Sequence, residues 1–249
     1  MIETFQVTVP APSGSQERTA TVYLPQSYDG NRRYPVLYLF DGQTAFFDER
    51  ATFGTSLRLG EILDGLGAEL IAVAVDCDEK DRLTEYAPFP FEAGKIKSEG
   101  KGAVYLDWLV GVLMPLINEK YRTVRTREST FIAGASMGGL MTVYALCRHS
   151  EVFGGGAALS PSFWVDPASS EEMIKSAKFE RRVALYLDYG EKELGAHGAA
   201  QRDSLTRCLS ALLAQKIPFT FRLIEGGAHN EKSWRAQVPI FLRTLGLIG

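Results

Sequence analysis

The 249 residues are 45% hydrophobic, 11% aromatic and 23% charged, an ordinary globular balance with enough chain to bury a sizeable core. Lysine and arginine (27) nearly match aspartate and glutamate (30), leaving a net charge of −3, so no bulk positive field recruits nucleic acid as a partner. Cys77, Cys147 and Cys208 are scattered and odd in number, which excludes a disulfide framework and zinc-ligand spacing; no metal or other cofactor is expected.

The chain opens on Met1-Ile2-Glu3-Thr4-Phe5-Gln6-Val7, without a basic stretch leading into an apolar core, and no apolar run nears the ~20 residues that span a bilayer. Neither a signal peptide nor a membrane partner is expected, and a cytoplasmic setting is. Residues 5–9 and 19–24 alternate apolar and polar side chains, predicting two half-exposed strands around a turn with Pro10, Pro12 and Gly14. Residues 34–40 and 70–75 are almost continuously apolar, as strands buried on both faces are. Between them Leu59, Ile62, Leu63 and Leu66 repeat at helical spacing.

Residues 76–102 show no period and carry Pro88, Pro90, Gly94, Gly100 and Gly102. They read as a long connection, either a lid or binding loop or a tolerated surface insertion. A helix over 103–120, kinked by Pro115, comes next. Further strands are predicted at 129–133, 155–159, 183–187 and 219–224, with helices at 140–146, 171–178, 199–215 and 233–245 between and after them. Alternating strands and helices predict an α/β fold: one domain over 1–249, with a mostly parallel sheet covered on both faces.

Gly134-Ala135-Ser136-Met137-Gly138-Gly139 joins one of these strands to its helix, the context that gives G-x-S-x-G its meaning. A serine there makes a sharp, strained turn that lifts its hydroxyl above the sheet edge. The helix N-terminus behind it offers free N–H groups to an oxyanion. Ser136 is therefore the candidate nucleophile, and it needs a base. His149 closes the helix that Ser136 opens, several turns away, as a C-terminal cap. His197 follows the 183–187 strand and would need an acid from an earlier strand, such as Asp166. His229 sits in Gly226-Gly227-Ala228-His229-Asn230, after the last strand, and satisfies the order serine, acid, histidine. The acid comes from Asp188-Tyr189-Gly190-Glu191-Lys192-Glu193, where Glu193 is preferred and Asp188 is the alternative. The backbone N–H of Met137 is one expected oxyanion donor. That of Gln43, in Asp41-Gly42-Gln43 after the 34–40 strand, is the other, with Gly42 permitting the tight turn.

With these residues in hand, the chain resembles the putative-esterase family of α/β-hydrolases, which includes enterochelin, feruloyl and acetylxylan esterases and esterase D. The resemblance rests on Leu39-Phe40-Asp41-Gly42-Gln43, Asp81-Arg82-Leu83-Thr84-Glu85-Tyr86, Tyr121-Arg122-Thr123, Gly134–Leu140, Leu159-Ser160-Pro161-Ser162-Phe163-Trp164 and His229-Asn230-Glu231-Lys232-Ser233-Trp234. It departs at Gln43-Thr44, where Asn often follows Gln. The resemblance implies an α/β-hydrolase fold with minimal cap and supports Ser136 and His229. It supports Glu193 less firmly, since some siderophore esterases of the family lean on a Ser–His pair. It further implies that Arg82 and Tyr86 approach the substrate and that Phe163, Trp164 and Trp234 line its pocket.

The expected activity is hydrolysis of a small-molecule carboxylic ester, of siderophore type or aromatic and feruloyl-like, through a Ser136-Glu193-His229 triad. The alternatives are an acyltransferase of the same fold, a non-catalytic binder on this scaffold, and a peptidase. The length leaves no room for the extra domain a peptidase would usually carry.

Overall fold

A computed structural model of the chain describes residues 1–179, 183–195 and 198–249. Among the described residues ten strands form two sheets: β1 (Ile2–Ala11), β2 (Gly14–Tyr23), β3 (Val36–Leu39), β4 (Ile71–Val75), β5 (Phe91–Ala93), β6 (Ile96–Ser98), β7 (Thr130–Ala135), β8 (Gly155–Leu159), β9 (Ala184–Gly190) and β10 (Phe219–Ile224). The main sheet runs β1-β2-β4-β3-β7-β8-β9-β10. β2 is antiparallel to β1 and β4, and every pairing from β4 to β10 is parallel. This is the α/β-hydrolase arrangement that the sequence resemblance implied.

The apolar runs of β3 and β4 alternate between two cores. Val36, Tyr38, Ile71 and Val73 point into one, with Leu140, Met141 and Val143 of the helix Met137–Arg148. Leu37, Leu39, Ala72 and Ala74 point into the other, with Trp234, Val238 and Phe241. Each strand thus buries both faces, so its sequence shows no alternation.

Three expectations need correction. Residues 76–102 are not structureless: they hold a helical turn, Arg82–Glu85, and the β5–β6 hairpin. The 103–120 helix accommodates Pro115 through a π-helical turn, Leu109–Leu113, in which Met114 N–H reaches back to Leu109 C=O. That register shift lets the helix run on past a residue with no N–H to give. The last helix is two, Glu231–Arg235 and Val238–Thr244, with Pro239 in the first turn of the second. Pro239 fits there because first-turn N–H groups need no intrahelical acceptor.

From β3 the chain moves outward to β4, whereas from β7 it moves the other way through β8 and β9 to β10. The β3–β7 pair is therefore where the strand order reverses, and the crevice beyond the carboxyl ends of such a pair is where open α/β sheets receive ligands. The segments that leave β3 and β7 are the Asp41-Gly42-Gln43 turn and the Ser136 elbow.

Candidate active site

Ser136 takes φ 59° and ψ −121°, a strained conformation for a residue with a side chain. Gly134 is required by close approach: a Cβ there would lie 2.6 Å from the Gly138 backbone. Met137 follows as the first residue of the elbow helix.

The Ser136 Oγ is 2.9 Å from His229 Nε2, and His229 Nδ1 is 2.6 Å from Glu193 Oε2. Three segments that are far apart in sequence, following β7, β10 and β9, meet here at hydrogen-bonding distance. Glu193 Oε1 accepts from Gly190 N–H at 2.8 Å and from the Ser160 hydroxyl at 2.7 Å. Lys192 N–H donates to Gly227 C=O at 3.0 Å, which ties the loop bearing the acid to the loop bearing the imidazole. Burial pushes the Glu193 carboxyl up, but hydrogen bonds from His229, Ser160 and Gly190 outweigh it and hold the group below its ordinary value. The Glu193 side chain is 6% exposed, whereas that of His229 is 43% exposed.

Asp188, the alternative acid, takes another part. It is buried, and its Oδ1 accepts from Ser160 N–H at 3.2 Å, away from the imidazole's bonded atoms. Its Oδ2 is buried without a hydrogen bond, and desolvation pushes the carboxyl up to about 7. His149 caps the elbow helix, as the sequence implied, and its Nδ1 lies 2.9 Å from Glu151 Oε1. His197 lies outside the described residues.

Gln43 is the second residue of the short helix Gly42–Ala45, so its N–H, like that of Met137, belongs to a first turn with no intrahelical acceptor. The left-handed residue in this turn is Asp41, at φ 60° and ψ 60°, and not Gly42. Gly42 is there because a Cβ would come within 2.6 Å of the Val75 backbone. The Gln43 side chain clamps Cys77: Nε2 lies 2.9 Å from Sγ, and Oε1 accepts from Cys77 N–H at 3.1 Å. Burial pushes the Cys77 thiol up, so it is no rival nucleophile.

A cavity of about 500 Å³ opens beside Ser136 and His229. Its apolar walls include Phe40, Leu57, Leu83, Trp234 and Phe241, with the exposed Phe53 at the rim. Arg82 lines it too, but its guanidinium grips the Asp41 carboxylate at 2.6 and 2.7 Å. Tyr86 does not reach the cavity. It is wholly buried and its hydroxyl accepts the Asp41 N–H at 3.2 Å, so it supports the turn from beneath. Phe163 is also wholly buried, and neither it nor the half-buried Trp164 lines the cavity. Trp234 does, with its ring edge-on to His229 at 4.9 Å between centroids.

The sequence reading missed the opposite wall, built by residues 44–57, which show no period. Asp48 organises that segment: Oδ1 accepts from the Ser56 N–H and hydroxyl, both at 2.8 Å, and from Arg235 at 3.1 Å. Its Oδ2 accepts from Arg58 at 2.6 and 3.0 Å. The clustering of Asp48, Glu49, Arg50 and Arg58 was the only signal of it. Among the described residues no group of three or more His, Cys, Asp or Glu is placed to hold a metal ion, and no helix is long and apolar enough to cross a membrane.

A family model described as "Putative esterase" matches residues 12–245. The chain belongs to that family. This makes it a carboxylic ester hydrolase, with the elbow and cavity just described. It is 26% identical over 196 residues to the uncharacterized protein YbbA of Bacillus subtilis, covering 76% of this chain and 74% of that protein. It is 27% identical over 241 residues to an endo-1,4-beta-xylanase/feruloyl esterase of Xylanibacter ruminicola; the match takes in 92% of this chain but only 29% of that longer protein. Among solved structures it superposes on a ferulic acid esterase with a TM-score of 0.71 at 22% identity, covering 99% of this chain and 98% of the other. The enterobactin esterase FES of Shigella flexneri gives 0.71 at 19% identity, covering 98% of this chain and 59% of FES.

Proposed function

We propose that this esterase works through Ser136 as nucleophile, His229 as general base and acid, and Glu193 as the group that orients the imidazole. The observation that carries the reading is the unbroken chain from Ser136 Oγ through His229 to Glu193, at 2.9 and 2.6 Å, mounted on a strained elbow. Ser136 Oγ attacks the ester carbonyl carbon as His229 Nε2 takes its proton, and Glu193 stabilises the imidazolium. The N–H groups of Gln43 and Met137 receive the oxyanion. Collapse of the intermediate expels the alcohol, protonated by His229, and water then attacks the acyl-enzyme with the same assistance.

The substrate is a neutral ester with an apolar or aryl acyl group, feruloyl-like rather than a ferric catecholate. The cavity's charged lining has two cations, Lys80 and Arg82, against three carboxylates, Asp41, Glu79 and Glu231, and Arg82 is already paired. Such a lining has no surplus positive charge to attract a polyanion. The similarity to an endo-1,4-beta-xylanase/feruloyl esterase supports the same class. The test is hydrolysis of p-nitrophenyl butyrate, methyl ferulate and a ferric catecholate triester by wild type and Ser136→Ala. Turnover of the first two, abolished in the variant, supports the reading. Full activity in the variant sinks the nucleophile, and preference for the catecholate sinks the substrate class.

A further inference from the structure

The turn after β8, Ser160-Pro161-Ser162, touches both ends of the proposed triad. At one end the Ser160 hydroxyl donates to Glu193 Oε1 at 2.7 Å and accepts from the indole N–H of Trp234 at 2.9 Å. At the other, Ser162 Oγ lies 3.3 Å from Ser136 Oγ, and Ser162 N–H donates to Ser136 C=O at 3.0 Å. Both serines are almost wholly buried, at 2% and 1% exposure.

The turn is itself over-determined. Ser160 N–H points at Asp188, at 3.0 Å from its carbonyl and 3.2 Å from its carboxylate, and the Tyr189 hydroxyl donates to Pro161 C=O. Ser136 N–H donates to Leu159 C=O at 2.9 Å, which joins the elbow to the same turn. Ser160 sits at φ 43°, in the left-handed region where glycine or asparagine is cheaper. Strain of this kind persists where the surroundings enforce it, and here the strained residue carries the hydroxyl that completes the acid.

We propose that Ser160 and Ser162 are positioning residues for ester hydrolysis, acting through Glu193 and Ser136 respectively. The inference rests on the triad reading above. With the Gly190 N–H, the Ser160 hydroxyl occupies Oε1, so the carboxylate cannot rotate about its last bond and Oε2 stays on His229 Nδ1. The Trp234 indole donates into the same hydroxyl and polarises it, which makes the pair a cooperative chain. Ser162 holds the Ser136 hydroxyl at its bonding distance from His229 before substrate arrives. Trp234 thus acts on the acid as well as lining the cavity.

The experiment compares Ser160→Ala, Trp234→Phe, the double variant, Ser162→Ala and Ser162→Thr. It reads kcat and KM for p-nitrophenyl butyrate, labelling of Ser136 by a fluorophosphonate, and folding by near-ultraviolet circular dichroism. Loss of one hydrogen bond to a charged group is expected to lower kcat for Ser160→Ala by about 10- to 100-fold, with KM and folding unchanged. Trp234→Phe lowers kcat less, and on the Ser160→Ala background it lowers kcat no further, any added change falling on KM through the cavity it lines. Ser162→Ala slows labelling, and Ser162→Thr, which keeps the hydroxyl, restores it. Folded Ser160→Ala and Ser162→Ala proteins with wild-type kcat and labelling overturn the proposal. So does a Ser160→Ala loss carried by KM, or additive losses of kcat in the double variant. If Ser160→Ala does not fold, Trp234→Phe and the Ser162 pair decide by the same criteria. Fluorophosphonate labelling of Ser136→Ala at the wild-type rate would instead overturn the triad reading beneath it.

Discussion

Asp41 and Arg82 are joined by a two-pronged ion pair, Nε to Oδ1 at 2.6 Å and Nη2 to Oδ2 at 2.7 Å, which binds the segment leaving β3 to the one leaving β4. Asp41 holds a left-handed turn, and the proposed oxyanion donor Gln43 is two residues on. Arg82 therefore shapes the loop that bears this proposed donor, and its charge is already paired with Asp41.

Arg82→Met should lower kcat by about 10- to 100-fold through misplacement of the Gln43 N–H, with a smaller effect on KM. Asp41→Asn should do much the same, and the pair of changes should cost little more than either alone. Steady-state kinetics on the three variants checks this; a rise confined to KM would mean that Arg82 binds substrate directly.

Ser136→Ala and His229→Ala should each reduce turnover by on the order of 10⁶-fold, the loss seen when a triad member that acts as part of a unit is removed. Combining them should add almost nothing. Glu193→Gln should cost less than either, since the imidazole keeps its bond to Ser136. Burst kinetics with p-nitrophenyl acetate measures all four.

Asp188 gives a pH-dependent stability with a definite sign. Its carboxyl is pushed up to about 7 from an ordinary 3.8. A carboxyl that binds its proton more tightly when folded contributes most below the unfolded value and loses that contribution as pH rises through about 4 to 7. Asparagine mimics the protonated form at every pH. Asp188→Asn should therefore match wild type in thermal unfolding near pH 4 and exceed it above pH 7, by roughly 4 kcal/mol at the ceiling from ~1.4 kcal/mol per pKa unit. A gap in Tm that is the same at pH 4 and pH 8 would count against this.

Arg18 and Glu85 form an ion pair at 2.6 Å, with side chains only 4% and 1% exposed, between β2 and the Arg82–Glu85 turn. Arg18→Met strands a buried carboxylate and should destabilise the protein by about 3–5 kcal/mol at pH 8. Burial raises the Glu85 carboxyl even with Arg18 present, so the cost should shrink at acid pH as Glu85 takes a proton. Arg18→Met/Glu85→Leu should recover most of the loss in urea unfolding. No recovery would show that Arg18 acts through Asp78 or Gln16 instead.

Much of the fold is legible in the sequence because strand and helix periods are local properties: β8 and β10 fall on their expected residues, 155–159 and 219–224. The pairing of Ser136 with His229 is legible too, because strand-turn-helix punctuation sets which loops crowd one sheet edge. The pocket is another matter. Tyr86, Phe163 and Trp234 are all aromatic residues in family-like segments, yet only Trp234 meets the cavity, since which way a ring turns depends on packing from distant strands. Asp41 in a left-handed turn is equally hidden, because the adjacent Gly42 is the residue that looks made for it.

The Asp48 network has a practical corollary. Through Ser56, Arg58 and Arg235 one carboxylate fastens the cavity wall of residues 44–57 to the helix just downstream of His229. Wall and the helix after His229 form one mechanical unit with a handful of attachment points. Arg50 and Thr52 are tied to Asp76 and Glu79 as well, which leaves residues 53–55 as the exchangeable tip: replaced between these anchors and Ser56, they would resize the cavity while the His229 imidazole keeps its bearings.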